Sequence, residues 1–160
     1  MDTYEQALEL MAAMPAVLHG LLTTIPGEQL AIRPAADAWS VREVMDHMLR
    51  VETEMLPARI RRMAALEAEQ VENSGQSSTA AELAGWATAR EHNLKFLRDL
   101  TPDELERTWE HPKYGTISVR QHVIEWSYHD LDHLRQLLAI VQSALYPHIG
   151  GFQGLYPPPA

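Results

Sequence analysis

Four times the sequence sets a hydroxyl residue three positions ahead of Glu or Gln, at the start of a segment with helical period. The four are Ser40–Glu43, Thr79–Glu82, Thr101–Glu104 and Ser118–Gln121. In such a box the hydroxyl accepts from the third helical N–H, and the later side chain turns back to the capping N–H. Two donors that a helix start leaves open are thereby satisfied. One box is weak evidence. Four of them, each followed by apolar residues at spacings of three and four, commit the chain to helices.

The pattern predicts a first helical region from about Asp2 to Leu22, interrupted near Pro15. A second helix runs from Val41 to about Glu69 and bends at Pro57, whose missing N–H breaks the hydrogen-bond ladder. A loop over residues 71–78 leads to a third helix from about Ala80 to Leu100. A short helix from Pro102 to about Thr108 and a turn around Pro112 and Gly115 precede a fourth long helix, Val119 to about Leu145. No run alternates as a half-buried strand would. The expected fold is all-α, a four-helix bundle. Residues 1–150 are expected to form a single domain and residues 151–160 a Gly/Pro-rich tail.

Bulk properties exclude several functions. The 160 residues are 46% apolar, enough for one sizeable core. A net charge of −9 with scattered Lys and Arg argues against nucleic acid as a partner, because phosphate contacts need a basic face. No apolar run approaches the ~20 residues that span a bilayer, and the acidic N-terminus is unlike a signal peptide, so a cytoplasmic protein is expected. The chain has no cysteine, which rules out disulfides, thiolate metal ligands and a cysteine nucleophile of its own.

The fourth helix carries the chemistry. His129 and His133 lie four residues apart, so their side chains project side by side. Two imidazoles so placed can meet one ion at roughly 2.0–2.1 Å. His122 falls with them within an arc of about 40° on the helical wheel, at the border between apolar and polar faces. A pair leaves a metal site incomplete. His47, at the edge of the apolar arc of the second helix, is the best candidate for a third ligand. His19, His92, His111 and His148 compete, the last two from Pro-adjacent loops. HxxxH pairs are common on helices and most bind nothing. His122 reads as a pocket wall or hydrogen-bonding residue. Asp46, Asp130 and Asp132 read as a solvated helix face, from which one carboxylate could orient a ligand imidazole.

These residues in this order resemble the DinB-like (damage-inducible) superfamily of four-helix-bundle metalloproteins, which includes the YfiT-like metal-dependent hydrolases. The resemblance runs from about Leu21 to Leu138. It includes Arg33-Pro34 and Trp39-Ser40 ahead of the second helix, His47 within WSVREVMDH, Glu52 and Arg59, and the stretch from His111 through HDLDHLRQL to Leu137. It implies a metal triad of His47, His129 and His133. It also implies an enzyme acting on a small molecule, either a hydrolase or a transferase that uses a low-molecular-weight thiol. Zinc, nickel and iron all suit three imidazoles. Trp126, His122 and Tyr114 are pocket candidates. The alternative is a metal- or ligand-binding stress protein without turnover.

Two further expectations concern packing. Glu52 projects into the apolar arc of the second helix, with Arg59 almost directly below it as its partner. Helix one is apolar at Leu8, Met11, Pro15, Leu18, Leu21 and Leu22, more than the bundle needs, so a homodimer is expected.

Overall fold

The computed structural model describes residues 2–65 and 79–159, with the side chains of residues 79–82 outside the described set. The loop expected at residues 71–78, the second helix beyond residue 65 and the Thr79–Glu82 box therefore lie outside the described residues. Four helical stretches make the bundle. They are α1 (Thr3–Leu22), a run made of α2 (Val41–Arg50), a π turn (Val51–Met55) and α3 (Leu56–Met63), then α4 (Thr79–Arg98) and α6 (Val119–Leu145). The short α5 (Pro102–Leu105) leads into the last of these. No helix among the described residues is long and apolar enough to cross a membrane.

The boxes at Ser40, Thr101 and Ser118 form with both reciprocal bonds, and Asp2 with Glu5 makes another at the start of α1. The expected break at Pro15 does not occur, and α1 is continuous through it. Proline there cannot bond the carbonyl four residues back. That carbonyl belongs to Met11, and it instead accepts from Arg90 Nη1 of α4 at 3.2 Å. A neighbouring helix thus supplies the donor that the proline lacks.

At Pro57 the regular ladder is interrupted by a π turn. Ahead of the proline the Leu56 N–H reaches back five residues to Val51, and the widened turn spans Val51–Met55. A π turn takes up one extra residue, so everything beyond it is rotated by roughly 100°. This overturns the expected Glu52–Arg59 pair. Glu52 is buried as anticipated, at 1% exposure, but its partner is Arg90. Arg59 faces α6, with Nη1 3.5 Å from His122 Nε2.

The expectation of no sheet is also corrected. β1 (Thr108–His111) and β2 (Gly115–Ser118) form an antiparallel hairpin, with Thr108 opposite Ser118 and His111 opposite Gly115. The short helix before it accordingly ends at Leu105 rather than near Thr108. Gly115 takes φ +75°, a left-handed conformation that favours glycine, and so lets the hairpin close.

The core has two apolar clusters. One gathers Met11, Ile60, Leu97, Val123 and Trp126; the other Leu18, Val44, Met45, Met48, Trp86 and Leu137. Between Trp86 and Trp126 lies the Arg90 guanidinium, 4.5 Å from one ring centroid and 5.5 Å from the other. It donates to Glu52 Oε1 at 2.9 Å, Glu52 Oε2 at 2.6 Å and Asp130 Oδ2 at 2.6 Å. Asn93 adds a bond from Nδ2 to Glu52 Oε1 at 2.9 Å. Asp130 is therefore a core residue at 2% exposure, not part of a solvated face. Asp46 and Asp132 are exposed.

Of the apolar residues expected to leave helix one with surplus surface, Leu8, Met11, Leu18 and Leu22 are buried by the bundle itself. Its large exposed apolar side chains are Leu10 and Val17. Beyond α6, the tail is tied back where Gln153 Nε2 donates to the Tyr146 carbonyl at 2.9 Å.

Candidate metal centre

His47 on α2 lies opposite His129 and His133 on α6, and the three Nε2 atoms turn toward one another. His129 Nε2 stands 3.2 Å from His47 Nε2 and 3.1 Å from His133 Nε2. All three residues are half-buried, and one ligand atom from each lies within 4.8 Å of the others. One Nε2–H could bridge only one of these gaps, so three imidazoles alone leave lone pairs confronted. Nitrogens bound at about 2.0–2.1 Å to one ion stand roughly 2.8–3.0 Å apart at adjacent octahedral vertices and roughly 3.3–3.4 Å apart at tetrahedral ones. The two separations from His129 fall between these values, and the donor set fits a borderline divalent cation. Among the described residues this cluster holds the three histidines alone.

The surroundings prepare the rings for such a role. Burial, together with the neighbouring His133 and His47, pulls the His129 imidazole down to about 4, so it is neutral at pH 7. Burial lowers His47 in the same direction, with His133 and Arg50 adding to it. His133 Nδ1 lies 2.9 Å from Gln136 Oε1. With that oxygen assigned to the ring, Nδ1 carries the proton and Nε2 presents its lone pair. The second nitrogen is thus held by an amide, not by one of the carboxylates considered above. His129 Nδ1 is buried and has no hydrogen-bond partner among the described residues.

Trp39 is a site residue that sequence reasoning missed. Its ring stacks on His133 at 6.3 Å and 5° between planes, and tilts against His47 at 5.2 Å. The loop that carries it is pinned where Arg33 pairs with Glu43, and the same Glu43 closes the capping box on Ser40. The Arg33 bond, with those from Ser40, pulls the Glu43 carboxyl down to about 2.

The pocket candidates are placed differently from one another. Trp126 is fully buried in the core, with Nε1 unpartnered among the described residues. His122 is buried two turns from His129, with Nδ1 3.4 Å from Glu125 Oε2. Tyr114 is exposed on the hairpin turn, stacked on His111 at 4.5 Å. Of the competing histidines, His19, His92 and His148 are exposed, and His111 Nδ1 accepts from the Lys113 and Tyr114 amides.

Fold and site together define a four-helix-bundle protein with a histidine triad between its second and last long helices. The chain belongs to the DinB superfamily, whose family model matches residues 10–137. It is 27% identical over 139 residues to an Oceanobacillus iheyensis protein named "Putative metal-dependent hydrolase", covering 79% of each chain. An uncharacterized protein of Bacillus subtilis, YuaE, is 25% identical over 141 residues, covering 74% of this chain and 87% of that one. Among solved structures, Bacillus subtilis YfiT superposes with a TM-score of 0.74 at 16% identity, over 88% of this chain and 87% of that chain. It is described as a probable metal-dependent hydrolase of unusual four-helix-bundle topology. The four-helix bundle protein TT2238 gives 0.64 at 25% identity, over 85% and 98% of the two chains.

Proposed function

We propose that this chain is a metal-dependent enzyme acting on a small molecule, with His47, His129 and His133 as the ligands of one divalent ion. The observation that carries the reading is the convergence of three Nε2 atoms at ligand spacing. A divalent ion there would supply Lewis acidity to a water or thiol in its remaining position. The chain's own residues do the rest. Gln136 fixes the tautomer of His133, burial keeps His129 unprotonated, and Trp39 shields one side of the cluster from water. Zinc, nickel and iron all suit this donor set. Elemental analysis should give about one ion per chain for the wild type and a loss of most of it in His129→Ala. Equal, full metal content in both would refute the assignment of His129.

Within that reading the reaction is hydrolysis or thiol transfer. The chain has no cysteine, so a thiol would enter as a cofactor. Bacillithiol, mycothiol or glutathione added to cobalt-loaded protein should then produce a sulfur-to-cobalt charge-transfer band. An unchanged spectrum with all three removes thiol transfer and leaves hydrolysis and the metal-binding protein without turnover.

We also propose a homodimer, supported by a stripe on α6. Tyr128, Leu131, Leu138 and Leu145 follow one another at spacings of three, seven and seven, and are 71%, 39%, 45% and 58% exposed. Such spacing puts them on one helical face. A second copy covering that face in a closed pair is the simplest symmetric solution.

A further inference from the structure

The α2–α3 run and α6 are antiparallel, since His47 lies opposite His129 and His133 while Arg59, farther along, lies opposite His122. Along α6 the residues His122, Glu125, His129 and His133 follow at spacings of three and four, a single ridge. One end of this ridge is the triad. At the other end stands a guanidinium.

Arg59 is half-buried, and its one hydrogen-bond contact among the described residues is the 3.5 Å approach to His122 Nε2. His122 is itself buried, and its Nδ1 faces the Glu125 carboxylate at 3.4 Å. A carboxylate only accepts, so Nδ1 carries the proton and the Nε2 lone pair faces Arg59. Glu125 thus orients His122, and His122 orients the guanidinium through a single N–H. A guanidinium has five donors in a rigid fork that matches an oxyanion, and most of this fork is not engaged by the described residues. Helical side chains lean toward the start of their helix, which on α3 is the direction of His47.

We propose that Arg59 is the anchor for an oxyanion, a carboxylate or phosphate, carried by the small molecule whose reacting group meets the triad. This rests on the metal-dependent reading above and adds a substrate class to it. His122 precedes His129 by seven residues, so the anchor stands roughly 10 Å from the triad along the helix axis. A metal–sulfur bond takes up roughly 2.3 Å of this and a hydrogen bond roughly 2.9 Å. About 5 Å remains between sulfur and oxyanion, which about four bonds span at about 1.2 Å of extended advance each, a chain of about three carbons. The ligand class is therefore a short molecule with a metal-seeking group at one end and an anion at the other.

The test uses ω-mercaptoalkanoates of two to ten carbons, each matched to the ω-mercaptoalkanol of equal length, titrated into the cobalt-loaded protein by its visible spectrum. The expected result is that acids of about three to four carbons bind at least tenfold tighter than their alcohols, and that the two-carbon acid shows little preference. Arg59→Gln should bring that ratio close to one while leaving the alcohols within about twofold. Arg59→Lys, which keeps the charge but loses the fork, should retain part of it. Equal binding of acids and alcohols, or no binding of either, would overturn the anchor while the cobalt spectrum still supports the metal site. A preference that survives Arg59→Gln in a protein of unchanged melting temperature would also overturn it. A chain that takes up no cobalt would remove the metal reading itself, and the anchor with it.

Discussion

The buried guanidinium offers a severe test of how this bundle is held together. Arg90 is 1% exposed and serves two carboxylates, Glu52 and Asp130, themselves 1% and 2% exposed, as well as the Met11 carbonyl. In Arg90→Met the shape is nearly kept and the charge is lost. Breaking one buried pair by removing a partner costs about 3–5 kcal/mol, because the other charge is left uncompensated. Here two carboxylates lose their cation, so we expect about 5 kcal/mol at pH 7, a large part of the roughly 5–15 kcal/mol that holds a domain folded. With a urea slope of about 2 kcal/mol per molar, the midpoint falls by about 2.5 M. The deficit should also depend on pH with a definite sign. Burial already pushes the Asp130 carboxyl up to about 6 with Arg90 beside it, and without the cation it rises further. A carboxyl raised in the fold binds its proton more readily than in the unfolded chain, so its contribution is present at low pH and lost as pH rises. Arg90→Met should therefore be further below wild type at pH 8 than at pH 5. Adding Glu52→Gln and Asp130→Asn should restore part of the loss, since the orphaned charges are gone. A midpoint within about 0.3 M of wild type at pH 7, or a deficit that grows on acidification, would refute the reasoning.

Histidine titration followed by NMR in metal-free protein should find His129 neutral at pH 5.5, since its folded value lies near 4. Its sign is opposite to that of Asp130. A histidine lowered in the fold takes its proton more readily in the unfolded chain, so its contribution is lost as pH falls from about 6.5 toward 4. An apparent value at 6.5 or above would contradict the burial argument. Sedimentation at micromolar concentration should show a dimer of the 18.1 kDa chain, and Leu138→Glu with Leu145→Glu should convert it to monomer without unfolding it. A wild-type monomer would remove the α6 stripe as an interface.

The helices were legible because their starts are written in local chemistry. Ser40, Thr101 and Ser118 cap where the spacing to Glu43, Glu104 and Gln121 says they should. His47, His129 and His133 could be singled out because imidazoles at the border of an apolar face are costly unless they serve a purpose. The hairpin left no such mark. Its strands are four residues each and mostly exposed on both faces, so no alternation betrays them. Trp39 was hidden for another reason. A large apolar residue just before a helix cap commonly packs on the first turn, and nothing local distinguishes that from a ring stacked on His133. Asp130 stands in HDLDH among polar residues on either side of Leu131, and only the arrival of Arg90 from another helix makes it a core residue.

The same limit explains why a helical wheel joined Glu52 to Arg59. On an ideal helix, seven residues return almost to the same face. The π turn ahead of Pro57 inserts one residue into that count and sends the two side chains apart. Glu52 turns inward to Arg90, and Arg59 turns toward His122. The separation has consequences for both ends of the site. His47 lies five residues before Glu52 on one helical run, and His129 is the neighbour of Asp130 on α6. One guanidinium therefore ties down both helices that carry the triad, close to the rings whose spacing an ion would require. Had the run stayed ideal, Arg59 would lie beneath Glu52, in competition with Arg90 for the same carboxylate. The ridge of α6 would then face no cation. The widened turn ahead of Pro57 is thus what allows one acidic side chain to serve the core while a basic one, seven residues on, faces His122 on α6.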